Sequence, residues 1–158
     1  MVRPDRPKIA YLDACCYIDW AEGKDSCAEV ETWLLAARQR QVQIVASTAM
    51  FAEARGTGNN GHQDMAGEER IRQLLQEPYV TLVDVTRRIG LLARKISVER
   101  PRIKGFDALH LATAIHTESE VFLSRNFRDF TSGEQYQGVW MEVPYEFGGE
   151  GIFPLQSS

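Results

Sequence analysis

Short apolar runs alternate with helix-like segments along the chain, and this alternation constrains its fold more than any other feature of the sequence. The runs are typical of buried strands and lie at 8–13, 42–47, 79–85, 120–124 and 138–143. The segments between them, among them 105–117, carry apolar residues at the helical period. Strands that alternate with helices indicate βαβ units. We therefore predict an α/β fold with a central, mainly parallel sheet of about five strands and helices on both faces.

The chain has 158 residues, which is the size of one domain, and we expect that domain to span residues 1–143. After the first strand we expect a loop, and then a helix that Ser26 caps. The sequence GTGNNGH at 56–62 has the composition of a second loop. The remaining residues, 144–158, are predicted to form a C-terminal tail that is either loose or docked through Phe147, Ile152 and Phe153.

The composition argues against a membrane protein and against a disulfide-rich one. The longest apolar stretches fall short of the roughly 18 residues that suggest a membrane span, and the first residues lack the pattern of a secretory signal. Cys15, Cys16 and Cys27 are odd in number and form no CxxC motif or zinc-ligand spacing. We interpret them as small buried apolar residues, and we expect a cytoplasmic protein that does not contact a membrane.

Positive charge is concentrated in one segment of a chain whose formal net charge is -4. Residues 86–104 contain seven lysines or arginines and one glutamate, a local net charge of 7 - 1 = +6. The helix predicted there has one apolar face and one basic face, the latter including Arg94 and Lys95. The basic face is either a solvated helix surface or a ridge that follows the phosphates of a nucleic acid.

Four carboxylates fall where a parallel sheet brings the carboxyl ends of its strands together. Asp13 ends the first strand, and Glu53 lies in the helical segment after the second. Asp107 begins the helix that leads into the fourth strand, and Asp129 lies just beyond the end of that strand. Because ligands of open parallel sheets bind at this edge, we expect the four side chains to lie near one another.

A cluster of carboxylates needs a cation at neutral pH, because the like charges repel and raise one another's pKa. Oxygen ligands without cysteine or histidine at metal-ligand spacing suit Mg²⁺ or Mn²⁺, and such ions can activate water for displacement at phosphorus. Each acid also has an ordinary interpretation. Asp13 can be a solvated strand end, Asp107 a favourable charge at a helix N-terminus, and Asp129 a turn residue.

Four sequence segments together resemble the PIN-domain family, and more narrowly the VapC-like toxin ribonucleases of bacterial toxin–antitoxin pairs. The segments are IAYLDACCYIDW, ASTAMFAEA, FDALHLATA and FLSRNFRDF, and their order and spacing agree with the family over residues 8–143. The resemblance implies a PIN-like three-layer αβα sandwich and a metal-dependent endoribonuclease with Mg²⁺ or Mn²⁺ as its cofactor. It also implies an RNA substrate, a small antitoxin protein as partner and a homodimer.

The resemblance assigns roles to individual residues. Asp13 and Asp107 would be the main metal ligands, with Glu53 completing the set directly or through water. Either Asp129 or Asn126 would be the fourth ligand. Many members have an acid at the position of Asn126, and an amide oxygen adds no charge to hold the ion. The supporting and RNA-contacting residues that the resemblance implies are Ser124, Arg102, Lys104, Arg125 and Arg128.

Some neighbouring residues, and the chain as a whole, have other interpretations. His110 lies one turn into the helix that the third acid begins, and we interpret it as a packing or supporting residue and not as a base. Asp19 and Glu22 follow the first motif and are expected to be exposed to solvent. A second hypothesis for the chain is a PIN-like module that binds RNA or protein without cutting. A phosphatase with Asp13 as nucleophile is disfavoured, because the haloacid dehalogenase pattern needs a second aspartate where this chain has Cys15.

Overall fold

The computed structural model describes residues 2–24, 27–54, 65–126 and 128–149. Within these ranges the chain forms six strands and six helices. In chain order they are β1 (Ile9–Leu12), α1 (Ala14–Glu22), α2 (Ala28–Arg38), β2 (Gln43–Ser47), α3 (Met50–Glu53), α4 (Met65–Leu75), β3 (Val80–Val83), α5 (Arg87–Glu99), α6 (Phe106–His116), β4 (Val121–Leu123), β5 (Glu134–Tyr136) and β6 (Val139–Glu142).

The strands form one sheet in the order β3-β2-β1-β4-β6-β5. β1 lies between β2 and β4 and runs parallel to both. β3 and β6 continue the parallel arrangement, while β5 pairs with β6 in the antiparallel sense. The residues of β4 and the last three of β1 are fully buried, as expected for parallel strands that are covered on both faces. The predicted fold class is confirmed, with one strand more than expected.

Helices cover the sheet in two groups. α1 contacts both α2 and α4, and α2 lies against β2. α6 lies against β2 and β4, and α5 packs along α6. None of the helices in the described ranges is long and apolar enough to cross a membrane.

The basic helix α5 packs along α6, and its end lies at an edge of the sheet. It begins after β3, which is one edge strand, and its last turn contacts β5, which is the other. There Arg100 pairs with Glu134 at 2.5 Å, and the Tyr136 hydroxyl donates to Glu99. Ile89, the first buried residue of the helix, and its other buried residues face inward, so the basic side chains lie on the outer surface as predicted.

Residues 14–22 form α1, whereas the sequence analysis expected a loop. Asp13 is the N-cap of this helix, a position that aspartate favours, and its side chain accepts a hydrogen bond from the backbone N–H of Ala14. The buried residues Ala14, Tyr17 and Ala21 follow the helical period. The loop prediction was wrong because Asp13 was considered as a ligand or as a solvated strand end, and not as a helix cap.

Other expectations for the connections had different outcomes. α2 begins at Ala28, and its N-cap Cys27 makes no side-chain cap bond. The predicted cap Ser26 lies outside the described residues, as does the predicted loop at 56–62. The short strand β5 was not predicted. It is joined to β6 by Gln137 and Gly138, which both have positive φ, the pattern of a two-residue hairpin turn.

The first part of the predicted C-terminal tail is docked on α2. Trp33 packs edge-on against the rings of Tyr145 and Phe147, at centroid distances of 5.3 and 5.2 Å. The backbone N–H of Phe147 donates to the Thr32 hydroxyl at 2.9 Å. Ile152 and Phe153, the other residues proposed to dock, belong to the part of the tail that the structure does not describe.

Candidate metal centre

Asp13 lies where β1 meets α1 and is the most deeply buried acid of the site, with 3% of its surface exposed. Its two carboxylate oxygens have separate donors. The backbone N–H of Ala14 donates to Oδ1 at 2.8 Å, and the Ser124 hydroxyl donates to Oδ2 at 2.9 Å. Ser124 in turn accepts the backbone N–H of Asn126 at 3.0 Å. The Asp13 carboxylate is therefore held between the ends of two neighbouring central strands, β1 and β4.

Glu53 ends the short helix α3 and faces α6. Its Oε2 lies 2.5 Å from Nε2 of His110, whose Nδ1 lies 2.5 Å from the Tyr11 hydroxyl. Tyr11 and His110 are fully buried, whereas 27% of the Glu53 side chain is exposed. One potential ligand atom each from Asp13, Glu53 and His110 lies within 4.8 Å of the others. These three side chains are close enough to share one cation.

Asp107 and Asp129 form a second group, which Asn126 joins. The side-chain amide of Asn126 donates to Oδ2 of Asp107 at 3.1 Å and to Oδ2 of Asp129 at 3.0 Å. Asp107 lies in the first turn of α6, immediately after the turn at Gly105. Gly105 has φ 59° and ψ -131°, a conformation that residues with a side chain rarely adopt. The glycine therefore lets the chain turn sharply enough to begin α6 with its acid at the rim of the sheet.

The two groups act on each other electrostatically. Burial, assisted by the charges of Asp13, Glu53 and Asp129, raises the pKa of Asp107 to about 7. Burial also raises the pKa of Asp13, an effect that His110 opposes and Glu53 reinforces. Burial alone would lower the pKa of His110, but the hydrogen bond with Glu53 and the surrounding carboxylates raise it. The site therefore holds protons that a nearby cation would displace.

The donor set fits a hard divalent cation. The acids of both groups offer carboxylate oxygens, which Mg²⁺ and Mn²⁺ prefer. Within the described part of the chain, no lysine or arginine pairs with Asp13, Glu53, Asp107 or Asp129, and His110 is their one basic neighbour. Like-charged groups gathered in this way without a matching cationic side chain are stabilised by a bound metal ion.

Most of the basic residues proposed to contact RNA are exposed. These are Arg94 and Lys95 on α5, Arg102 and Lys104 in the turn before α6, and Arg128 after β4. Arg125 differs, because its Nε lies 2.9 Å from Oδ2 of Asp19 and only 31% of its side chain is exposed. The Arg125 side chain is therefore engaged within the protein.

Asp19 is buried, and the expectation that it would be exposed was wrong. It is 8% exposed and binds Lys24 as well as Arg125, with its Oδ1 3.1 Å from Lys24 Nζ. The unpredicted helix α1 explains this, because it turns Asp19 toward the segment after β4. Glu22 is exposed, as expected. Cys15, also on α1, lies beside the site and its sulfur accepts the backbone N–H of Arg125 at 3.3 Å.

Tyr11 was not among the predicted site residues, and His110 was predicted without a specific partner. The spacing of both residues from the predicted acids could have indicated them. Tyr11 lies two residues before Asp13, and alternate residues of a strand point to the same face. His110 lies three residues after Asp107, and this spacing places two side chains on one face of a helix.

A cavity of about 540 Å³ lies at the opposite end of the sheet, near the starts of the strands. Lys8, Gln43 and Thr81 are among the residues that line it, with Arg38 at the end of α2. None of the predicted site residues lines this cavity. Arg38 is a cation at the C-terminal end of a helix, which is an ordinary stabilising feature. The cavity is therefore separate from the candidate site.

Comparisons with known proteins agree with this architecture. The family model described as "PIN domain" matches residues 10–132. A toxin–antitoxin complex from Klebsiella pneumoniae contains a similar chain, 24% identical, with a TM-score of 0.61 over 87% of this chain and 98% of the other. The VapBC2 complex from Rickettsia felis, bound to a DNA fragment from its promoter, contains another, 14% identical, with a TM-score of 0.59 over 85% of this chain and 98% of the other. No curated protein matches the chain.

Proposed function

The chain belongs to the PIN domain family, and on that premise we propose that it is a metal-dependent endoribonuclease, the toxin of a type II toxin–antitoxin pair. PIN domains are generally nucleases. The observation that carries the proposal is the gathering of carboxylates, without a lysine or arginine partner in the described part of the chain, at the carboxyl edge of the parallel sheet. That edge is where open α/β sheets bind their ligands.

Asp13, Asp107 and Glu53 would hold the cation, with Asp129 or Asn126 completing the set. When bound, Mg²⁺ or Mn²⁺ supplies an activated water and offsets the negative charge that develops at the phosphate. The chain's own residues would position the carboxylates. Ser124 holds the Asp13 carboxylate in one orientation. His110 is hydrogen-bonded to Glu53, and the amide of Asn126 joins Asp107 to Asp129.

RNA would reach the site along the basic surface around α5 and the start of α6. Arg94 and Lys95, which lie on α5, would contact phosphates of the RNA. Arg102 and Lys104 would contact RNA phosphates next to Asp107. Arg128 is the exposed candidate beside Asp129, whereas Arg125 is a weaker one because it already binds Asp19. Such contacts make RNA affinity fall with salt, so an affinity that does not change between low and moderate salt would exclude this surface.

An antitoxin would act by covering the acidic edge. Two solved structures with this fold are a toxin–antitoxin complex and a VapBC2 complex, and a carboxylate cluster readily accepts an arginine from a partner. We also propose a homodimer and a cytoplasmic location. A gene for a short DNA-binding protein immediately upstream would support the pairing, and the mass of the purified protein in solution would test the dimer.

Cleavage of total RNA by the purified chain tests the proposal directly. We expect cleavage with Mg²⁺ or Mn²⁺, none with EDTA, and none from Asp107→Asn, with the cleavage sites mapped by sequencing. Asp84→Asn is the matched control, because Asp84 also follows a strand of the sheet but is exposed at its edge. Full activity in Asp107→Asn would refute the nuclease assignment. A calorimetric titration without Mg²⁺ or Mn²⁺ binding would instead favour a module that binds RNA or protein without cutting.

A further inference from the structure

We propose that Tyr11 and His110 form a hydrogen-bonded relay that positions Glu53, and that His110 acts there as a donor and not as a ligand of the cation. The proposal deepens the proposed function, because it concerns how one of the metal-binding carboxylates is held. The relay joins four separate elements, since Tyr11 lies on β1, His110 on α6 and Glu53 on α3, while the backbone of Ser47 on β2 completes it.

The direction of hydrogen-bond donation in the relay follows from the bond between Ser47 and Tyr11. The backbone N–H of Ser47 donates to the Tyr11 hydroxyl oxygen at 3.0 Å, and an N–H group can only donate. The proton of the Tyr11 hydroxyl needs an acceptor of its own, because Tyr11 is fully buried and an unpaired buried donor is costly. Nδ1 of His110, at 2.5 Å, is that acceptor. Nδ1 is therefore the nitrogen without a proton.

The other ring nitrogen must then carry the proton. In a neutral imidazole one nitrogen donates and the other accepts, so Nε2 donates its hydrogen to Oε2 of Glu53 at 2.5 Å. Asp13 Oδ1 lies farther away, at 3.9 Å. A doubly protonated ring would leave the Tyr11 hydroxyl proton without an acceptor among the described residues. The relay therefore specifies a single tautomer of His110.

This tautomer decides how the three-residue cluster can bind an ion. Potential ligand atoms of Asp13, Glu53 and His110 lie within 4.8 Å of one another, and on distance alone the histidine could be a third ligand. A nitrogen that carries a proton has no lone pair for a metal, so only the two carboxylates remain. The cluster is consequently an oxygen site, which suits Mg²⁺ or Mn²⁺ better than a softer ion such as Zn²⁺.

Glu53 needs such support more than the other acids do. It ends a helix of four residues, and its side chain is long and partly exposed, so it would otherwise lose much rotamer freedom on binding an ion. The donor that restrains it belongs to a fully buried ring, which is in turn fixed by a fully buried tyrosine. Tyr11 and His110 are thus positioning residues that act through Glu53.

The first test is the tautomer of His110 in the full-length protein, measured by ¹⁵N NMR with labelled histidine and assigned with His110→Asn. We expect a protonated Nε2 and an unprotonated Nδ1, both before and after addition of Mg²⁺. A protonated Nδ1, or loss of the Nε2 proton when Mg²⁺ binds, would overturn the proposal. This readout does not depend on nuclease activity, so it decides the relay even if the chain cleaves no RNA.

The second test compares two Tyr→Phe variants, each of which lacks only a hydroxyl group. Tyr11→Phe removes the donor to Nδ1, and we expect Mn²⁺ affinity and kcat to fall about 10- to 100-fold, the usual cost of losing a partner of a metal ligand, with little change in KM for RNA. Tyr17→Phe is the control, because Tyr17 is also fully buried but its hydroxyl has no hydrogen-bond partner among the described residues. Equal Mn²⁺ affinity in the two variants would contradict the relay.

A third variant separates positioning from packing. His110→Gln keeps an acceptor for Tyr11 and a donor for Glu53, whereas His110→Ala keeps neither. We expect Mn²⁺ affinity to be higher in the glutamine variant than in the alanine variant. If the two variants bind Mn²⁺ equally, hydrogen bonding by His110 does not position Glu53.

Discussion

The inner and outer halves of the acidic site are held in different ways. The inner half consists of Asp13 with its donor Ser124 and of Glu53 with its donor His110, and each carboxylate is tied to a buried side chain. The outer half consists of Asp107, Asn126 and Asp129, which are partly exposed and joined through one amide group. Buried hydrogen-bond partners fix the geometry of metal ligands. Carboxylates that are crowded together with few hydrogen-bond donors keep their protons to a higher pH.

The difference suggests a division of labour at the proposed metal centre. The inner half would set where the ion lies, because each of its carboxylates is hydrogen-bonded to a buried side chain. The outer half would set under which conditions the ion binds, because Asp107, whose pKa is about 7, would have to lose a proton first. Three predictions test this division, beginning with the largest expected effect.

The largest difference is expected between Asp13 in the inner half and Asp129 in the outer half. Asp13→Asn should lower RNA cleavage and Mn²⁺ affinity by about 100-fold or more, because loss of a ligand should exceed the 10- to 100-fold cost of losing a ligand's partner. Asp129→Asn, in the outer half, should lower both by only about tenfold. Cleavage rates and calorimetric titrations with Mn²⁺ measure the two, with Asp84→Asn as the neutral control. Equal losses in Asp13→Asn and Asp129→Asn would remove the distinction between the halves.

The outer half should control the response to pH. The folded protein raises the pKa of Asp107 from 3.8 to about 7, so between these values the folded state binds a proton that the unfolded state has released. Without metal, the free energy of unfolding should therefore fall as pH rises from about 4 to about 7. The raised pKa of Asp13 acts in the same direction.

Thermal unfolding across this pH range, with and without Mg²⁺, measures the effect. Asp107→Asn should flatten the slope, and Asp84→Asn should leave it unchanged. Mg²⁺ should stabilise the wild type more above pH 7 than below it, because the ion competes with the proton. An equal gain from Mg²⁺ at both ends of the range would show that Asp107 does not govern ion binding.

The smallest effect is expected from a change within the outer half. Asn126→Asp replaces the amide donor between Asp107 and Asp129 with a third carboxylate. We expect the metal-free protein to unfold a few degrees lower because of the added repulsion, and Mn²⁺ to bind roughly tenfold more tightly because ligand charge tunes affinity. Asn126→Ala should weaken Mn²⁺ binding more than Asp129→Asn does if Asn126 is the fourth ligand. The opposite order would identify Asp129.

The fold and the positions of the four acids were predictable from the sequence because both follow from chain order. Once 8–13, 42–47 and 120–124 are interpreted as parallel strands, residues at their carboxyl ends lie at one edge of the sheet. The pairing of Asp13 with Ser124 was not predicted, because it requires β1 and β4 to be neighbours in the sheet, and no strand order was predicted.

Other features depended on information that local patterns do not carry. The relay from Tyr11 to Glu53 depends on how closely β2 and α6 approach β1, and spacing along the sequence does not specify such distances. The strand β5 was missed because Gln137 stands where hairpin turns usually have asparagine or aspartate. The burial of Asp19 was missed because residues 14–22 were expected to form a loop.

The place of β1 at the centre of the sheet has a consequence for how the protein is made. Its neighbour β4 lies far along the chain, and the hydrogen bond between Asp13 and Ser124 joins residues 111 positions apart. A growing polypeptide therefore cannot assemble the acidic centre until the segment after β4 has been synthesised. Contacts between such distant residues also slow folding. If the chain degrades RNA as proposed, the activity cannot arise before the segment that contains Ser124 and Asp129 has been translated.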